Sequence, residues 1–260
     1  MPSTGKMKKI KLTLQYNGAD YLGWQRQKDF HPTVQETLEK ELTSLYKYPI
    51  TTIGSGRTDT GVHSLCHIVI FENLSSIDIP YEGVKLALNA SLPRDIRVLL
   101  VEDAKDFHPL ADISRREYRY LFTNNSVASA FQGLLIYNHR FELNIEQMQN
   151  IAKLFEGTHD FTDFHCKGSD TKTNIRTIFE CSINECVMDF HGILPSHYYL
   201  KIVGDGFLKQ MVRSIMGCLF KAGEGKLTSS EIALALKTPS GKMLAPVASP
   251  CGLYKYKVTV

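Results

Sequence analysis

The sequence predicts an α+β fold of two similar halves. Segments with apolar residues at every second position recur along the chain, as half-buried strands require. Helical stretches with one apolar face and polar N-terminal caps stand among them. Strands and helices are mixed rather than strictly alternating, and both kinds occur in residues 1–113 and again in residues 114–260.

In order, Lys8 to Tyr16 alternates, with Ile10, Leu12, Leu14 and Tyr16 on one face. Asn17-Gly18 is a turn signal. Tyr21 to Gln27 follows and holds the single Trp of the chain, Trp24, beside Arg26 and Gln27. This segment reads either as a loop packed on its indole or as a flat surface for RNA, with Arg26 and Gln27 on phosphate or sugar. Thr33 to Glu36 is a capping box, opening a helix with Val34, Leu38, Leu42 and Leu45 on one face. After Gly54 to His63 comes an apolar strand, His67 to Phe71, then a short helix around Val84 to Leu88 and a strand from Ile96 to Val101.

In the second half, Ser114 to Thr123 interleaves Arg115, Arg116 and Arg119 with Tyr118 and Tyr120. Cations for a backbone and rings for splayed bases suit RNA; a basic edge strand that resists aggregation reads the same way. Asn144 to Gly157 is a second capped helix, with Gly157 as its stop. Strands are marked by Phe179, Cys181 and Ile183, and by Leu200 and Ile202. A helix from Phe207 to Ala222 buries Phe207, Met211, Ile215 and Leu219, with Lys209 and Arg213 four apart on another face. Ser229 to Leu236 is a last short helix, and Tyr254, Tyr256 and Val258 alternate with Lys255, Lys257 and Thr259 in a closing strand.

The chain has 260 residues, 43% hydrophobic and 22% charged, as a globular protein with its own core does. Its net charge of +3 permits a nucleic-acid partner without demanding one. Six cysteines show no C-x-x-C pair, so neither zinc nor a redox pair is indicated, and free thiols fit a reducing cytoplasm. Met1 to Lys9 has no apolar signal core, and no run is long enough to span a membrane.

The chemistry centres on Gly54-Ser55-Gly56-Arg57-Thr58-Asp59-Thr60-Gly61-Val62-His63. Its glycines allow a tight loop and close approach of another molecule. A guanidinium favours the charged form of a neighbouring carboxylate, and a charged carboxylate serves as nucleophile or base. Arg-x-Asp also occurs as an ordinary structural pair, so the surrounding string carries the weight. A phosphate-binding P-loop needs Gly-Lys-Ser/Thr where Gly61-Val62-His63 stands. Gly54-x-Gly56 lacks the third glycine of a dinucleotide loop. Asp59-Thr60-Gly61 spells the aspartic-protease triplet, but such a protease needs two carboxylates and hence a homodimer.

The string G-x-G-R-T-D-x-G-V-H resembles the catalytic motif of the TruA-type tRNA pseudouridine synthases. Gly23-Trp24-Gln25-Arg26-Gln27, Glu117-Tyr118-Arg119-Tyr120, Asp160-Phe161-Thr162-x-Phe164, Arg176-Thr177-Ile178, Gly206-Phe207-x-x-x-Met211-Val212-Arg213 and Gly252-Leu253-Tyr254 are similar to further motifs of that family. The resemblance implies two α+β halves whose antiparallel sheets join into one central sheet flanked by helices, with a basic cleft between halves. It implies an isomerase that turns uridine into pseudouridine at positions 38, 39 and 40 of the tRNA anticodon stem-loop. It further implies a homodimer with tRNA as its partner and neither cofactor nor metal, and the free thiols place the expected enzyme in the cytoplasm. By the same resemblance, Asp59 is the catalytic aspartate, Arg57 helps move the target base, Tyr118 stacks on the uracil and Arg213 pairs with Asp59. Trp24, Arg26, Gln27, Arg115, Arg116 and Lys209 are the expected RNA contacts.

Thr60 and Ser64 stand where the family usually has Ala, and Asp205 where Asn is common. Pro109-Leu110-Ala111-Asp112 replaces a stretch that usually carries an Arg, which bears on tRNA contacts. Val187 to His197 is longer than usual. A non-catalytic RNA-binding relative is the rival, and intact Asp59, Tyr118 and Arg213 argue against it.

Overall fold

The computed structural model describes residues 8–28, 31–125, 127–166, 168, 171–187 and 196–260. Most of the segment Val187 to His197, and most of Met1 to Lys9, lie outside the described residues. In chain order the elements are β1 (Lys8–Tyr16), α1 (Val34–Tyr46), β2 (Thr52–Gly54), β3 (His63–Asn73), α2 (Tyr81–Ser91), β4 (Ile96–Asp103), β5 (Arg115–Thr123) and β6 (Tyr137–Asn138). They continue with α3 (Ile145–Ala152), β7 (Gly157–Asp160), β8 (Ile175–Cys186), β9 (His197–Gly204), α4 (Met211–Gly223), α5 (Ser229–Lys237) and β10 (Leu253–Thr259). The class is α+β, with helices flanking sheet. No helix among the described residues is long and apolar enough to cross a membrane.

Two compact units divide the chain: Met1–Ser114 with Lys255–Val260, and Arg115–Tyr254. The closing strand therefore returns to the first unit, whereas the sequence division at 113 leaves it in the second half.

In the first unit the strands run β4-β1-β3-β10, and β2 also pairs with β3. β1 lies antiparallel to β3, with Leu12 opposite Val69 and Leu14 opposite His67, and antiparallel to β4. Ile10, Leu12, Leu14 and Tyr16 point to one face and are buried, as the alternation requires. Against that face α1 lays Val34, Leu38 and Leu42, all fully buried, and α2 lays Val84 and Leu88. Burying each such side chain contributes roughly 1.5–3 kcal/mol, so α1 is held by packing more than by propensity. Thr33 caps α1 by accepting from the Glu36 amide at 3.2 Å.

The second unit holds a mixed sheet. β5, β9, β8 and β7 are antiparallel neighbours, with Tyr118 opposite Ile202, and β6 joins β5 in parallel. α4 is buried almost all round, from Met211 through Phe220. α5 carries a full capping box, Thr228 with Glu231.

Two helix boundaries differ from the sequence expectation. The 144–157 helix stops at Ala152, passes through a 3₁₀ turn at Lys153–Phe155, and Gly157, at φ 104°, opens β7 instead. α4 starts at Met211 because Gln210 sits in the left-handed region at φ 59°, which a helix cannot contain. Lys209 thus precedes the helix and shares no helical face with Arg213.

Candidate active site

The loop from Ser55 to Val62 leaves β2 and enters β3. It is fixed from beneath by the β1–α1 connection. The Trp24 amide donates to Thr58 O at 3.1 Å, and the Gly61 amide to Tyr21 O at 3.2 Å. Within the loop, the Val62 amide donates to Asp59 O at 3.1 Å. The connection is itself held by α1, whose Val34 and Gln35 amides donate to the Gly23 and Trp24 carbonyls; these are N-terminal helix donors with no partner in their own helix.

Gly23 has φ 85°, and a Cβ there would stand 2.4 Å from Thr58 O and 2.9 Å from the Asp59 carbonyl carbon. A Cβ at Gly18 would stand 2.0 Å from Val62 O. Backbone meets backbone at both places, so only glycine fits. His63, buried, accepts the Gly18 amide on Nδ1 at 3.1 Å. Its place in the motif is that of a latch between the two loops. Asp59 is half-buried on this loop and Arg57 exposed.

Below the loop lies a buried polar cluster. Tyr16 Oη is 2.8 Å from Thr58 Oγ1 and 3.3 Å from His67 Nδ1. Trp24 packs on His67 with ring centroids 4.0 Å apart and the planes tilted by 31°. The Ser55 hydroxyl accepts the Ile68 amide at 3.1 Å. Lys255, from β10, is fully buried and donates through Nζ to Ser55 O at 2.8 Å and Ser55 Oγ at 2.6 Å. The closing strand reads as alternating Tyr and Lys, which conventionally sends lysines to solvent, so sequence reasoning did not find Lys255.

Trp24 is 1% exposed. The structure therefore supports the packed-loop reading of this residue and corrects its assignment as an RNA surface: the ring is spent on His67. Arg26 is also partly committed. Its guanidinium pairs with Glu39, whose other oxygen accepts from the Thr52 amide at 2.7 Å. Because Glu39 is buried, removing Arg26 leaves a buried charge short of its partner, a stability effect as well as any loss of contact with RNA. Gln27 is exposed and donates to Leu22 O at 2.9 Å.

The remaining candidates lie in the second unit. Tyr118 is half-buried and meets the Phe207 ring edge-on, with centroids 5.2 Å apart. Tyr120, on the same face of β5, is fully buried against Phe220, so only Tyr118 of the two is open to a base. Arg213, in the first turn of α4, donates Nε to Ala248 O at 2.8 Å. Arg115 lies over the Phe179 ring at 4.5 Å. Arg116 donates to Asp205 O at 2.6 Å, and burial lowers its pKa from the ordinary value. Asp205 accepts the Thr177 amide at 3.1 Å, so its carboxylate closes the turn. Lys209 and Leu110 are exposed.

A carboxylate on a rigid, glycine-lined loop, half-open to solvent, can add to or deprotonate a bound molecule. The scaffold is α+β, and it carries this aspartate on the loop between β2 and β3. A family model described as tRNA pseudouridine synthase matches residues 13–109 and 151–259. The chain is 38% identical to the tRNA pseudouridine synthase A of Clostridium acetobutylicum and 37% identical to that of Pseudothermotoga lettingae, covering 97% of this chain and 99% of each relative. It is 35% identical to that of Oceanobacillus iheyensis, covering 97% of both. The chain belongs to the tRNA pseudouridine synthase family. It is an isomerase that acts on tRNA.

Proposed function

We propose that the protein converts uridine to pseudouridine at positions 38, 39 and 40 of the tRNA anticodon stem-loop, with Asp59 as the catalytic carboxylate. The observation that carries this reading is the loop itself: Asp59 is half-open to solvent while the backbone on either side is pinned at Trp24, Tyr21 and Gly23. Uracil must be detached from C1′, turned and rejoined through C5, and its nucleotide must first leave the stack. Asp59 adds covalently to sugar or base, or removes a sugar proton after cleavage. Arg213 pairs with Asp59, Arg57 assists base movement, and Tyr118 holds the loose ring. Release of tritium from 5-³H-uridine tRNA, with the modified positions mapped, tests the proposal; retained label, or pseudouridine only outside positions 38–40, overturns it.

Arg115, Arg116 and Lys209 are the proposed phosphate contacts, in the basic cleft that the family resemblance implies between two related halves. Removing each should flatten the slope of log affinity against log salt by about 0.7 to 1 unit. Alanine variants with the parental slope would take those residues out of the interface. Arg26 is proposed as a phosphate contact too, and Arg26→Ala should in addition lower the melting temperature, through Glu39.

The enzyme is further proposed to act in the cytoplasm as a homodimer. Light scattering at micromolar concentration should give twice the chain mass; a monomer mass refutes the dimer.

A further inference from the structure

Lys255 is a cation with no exposed surface, and a stable core does not call for one. Replacing a buried charge by a well-packed apolar residue is often neutral or stabilising. Its place under the loop is specific. It meets the loop's entry directly, through both oxygens of Ser55. It also lies 3.4 Å from His67 Nδ1. An ammonium only donates, so Nδ1 is the acceptor and the His67 proton sits on Nε2. Burial, then the Lys255 charge, pushes the His67 pKa well below its ordinary value, so the ring is neutral. His67 Nε2 has no hydrogen-bond partner among the described residues and faces the Trp24 ring. From His67 the contacts run through Tyr16 Oη to Thr58 Oγ1, one residue from Asp59.

We infer that Lys255 is a positioning residue for Asp59, holding the loop at Ser55 directly and at Thr58 through His67 and Tyr16. The inference rests on Asp59 being the reacting carboxylate. All these groups belong to the first unit, and the chain of contacts fixes the loop at its entry, Ser55, and again at Thr58 beside Asp59.

The test uses the full-length Lys255→Met, Tyr16→Phe and double variants, with Asp59→Asn as reference. Single-turnover tritium release, tRNA Kd and Tm are measured for each. Lys255→Met should be about 10²-fold slower, the scale of a slightly misplaced reacting group. Its Tm should not fall, and its Kd should stay within about threefold of the parent. Tyr16→Phe should lose about tenfold, the worth of one hydrogen bond. Because both act through one path, the double variant should be no more than about threefold slower than Lys255→Met.

A Lys255→Met enzyme at the parental rate, with Asp59→Asn inactive, overturns this inference and leaves the site reading standing. An active Asp59→Asn enzyme overturns both. Losses that multiply in the double variant, or a rate loss matched by weaker binding or a Tm below the assay temperature, reduce Lys255 to a structural residue and also overturn it. If Lys255→Met does not fold, Tyr16→Phe and Ser55→Ala decide: parental rates in both refute the positioning role.

Discussion

Asp59→Asn is expected to fold, to bind tRNA and to lose at least about 10⁴-fold in rate, as removal of a nucleophile does in other enzymes. The loop's fixed points are backbone amides and carbonyls at Trp24, Tyr21, Thr58 and Val62, together with the His63 ring. None of these contacts uses the Asp59 carboxylate, so the amide leaves them in place. Turnover within tenfold of the parent would remove Asp59 from the chemistry. The variant should be compared with the parent by circular dichroism and tRNA Kd, so that a fold defect is not read as a chemical one.

Tyr118→Phe is expected to fold normally yet lose roughly 10²–10⁴-fold in single-turnover rate, the range for a general acid or base. The Phe variant keeps the edge-on contact with Phe207. Tyr118→Leu should lose binding as well, since stacking on an aromatic is worth roughly 1–3 kcal/mol per base. Pure stacking predicts a loss below about tenfold for Phe. Ordinary strand packing predicts a silent Phe and a lower melting temperature for Leu. A Phe variant at the parental rate takes the hydroxyl out of the reaction.

The elements legible in the sequence are those with strong period and long apolar faces. β1 and α1 appear where the alternation and the Thr33 cap place them, because local pattern and tertiary burial agree there. The short strands β2, β6 and β7 carry too few residues to show a period, and no reading of the residues finds them. The boundary of α4 is set by the left-handed Gln210, a conformation that glutamine does not announce. At the site, the motif string marks Asp59, but burial decides its neighbours. Trp24 among polar residues looks exposed and is core; Lys255 among tyrosines looks exposed and is fully buried. In both cases the partner lies far along the chain: His67 for Trp24, Ser55 and His67 for Lys255. Such pairings become visible only once the strands are in register.

The close backbone contacts of Gly18 and Gly23 have a consequence for how fast and how tightly tRNA can be taken up. Ordering a flexible backbone costs roughly 1–2 kcal/mol per residue. A loop that had to organise around the substrate would draw that sum from the association free energy. Here the ordering is completed when the chain folds, because Thr58, Asp59 and Val62 rest on glycine backbone that leaves them little room to move. Contacts with tRNA can then go toward holding the substrate instead of shaping this loop.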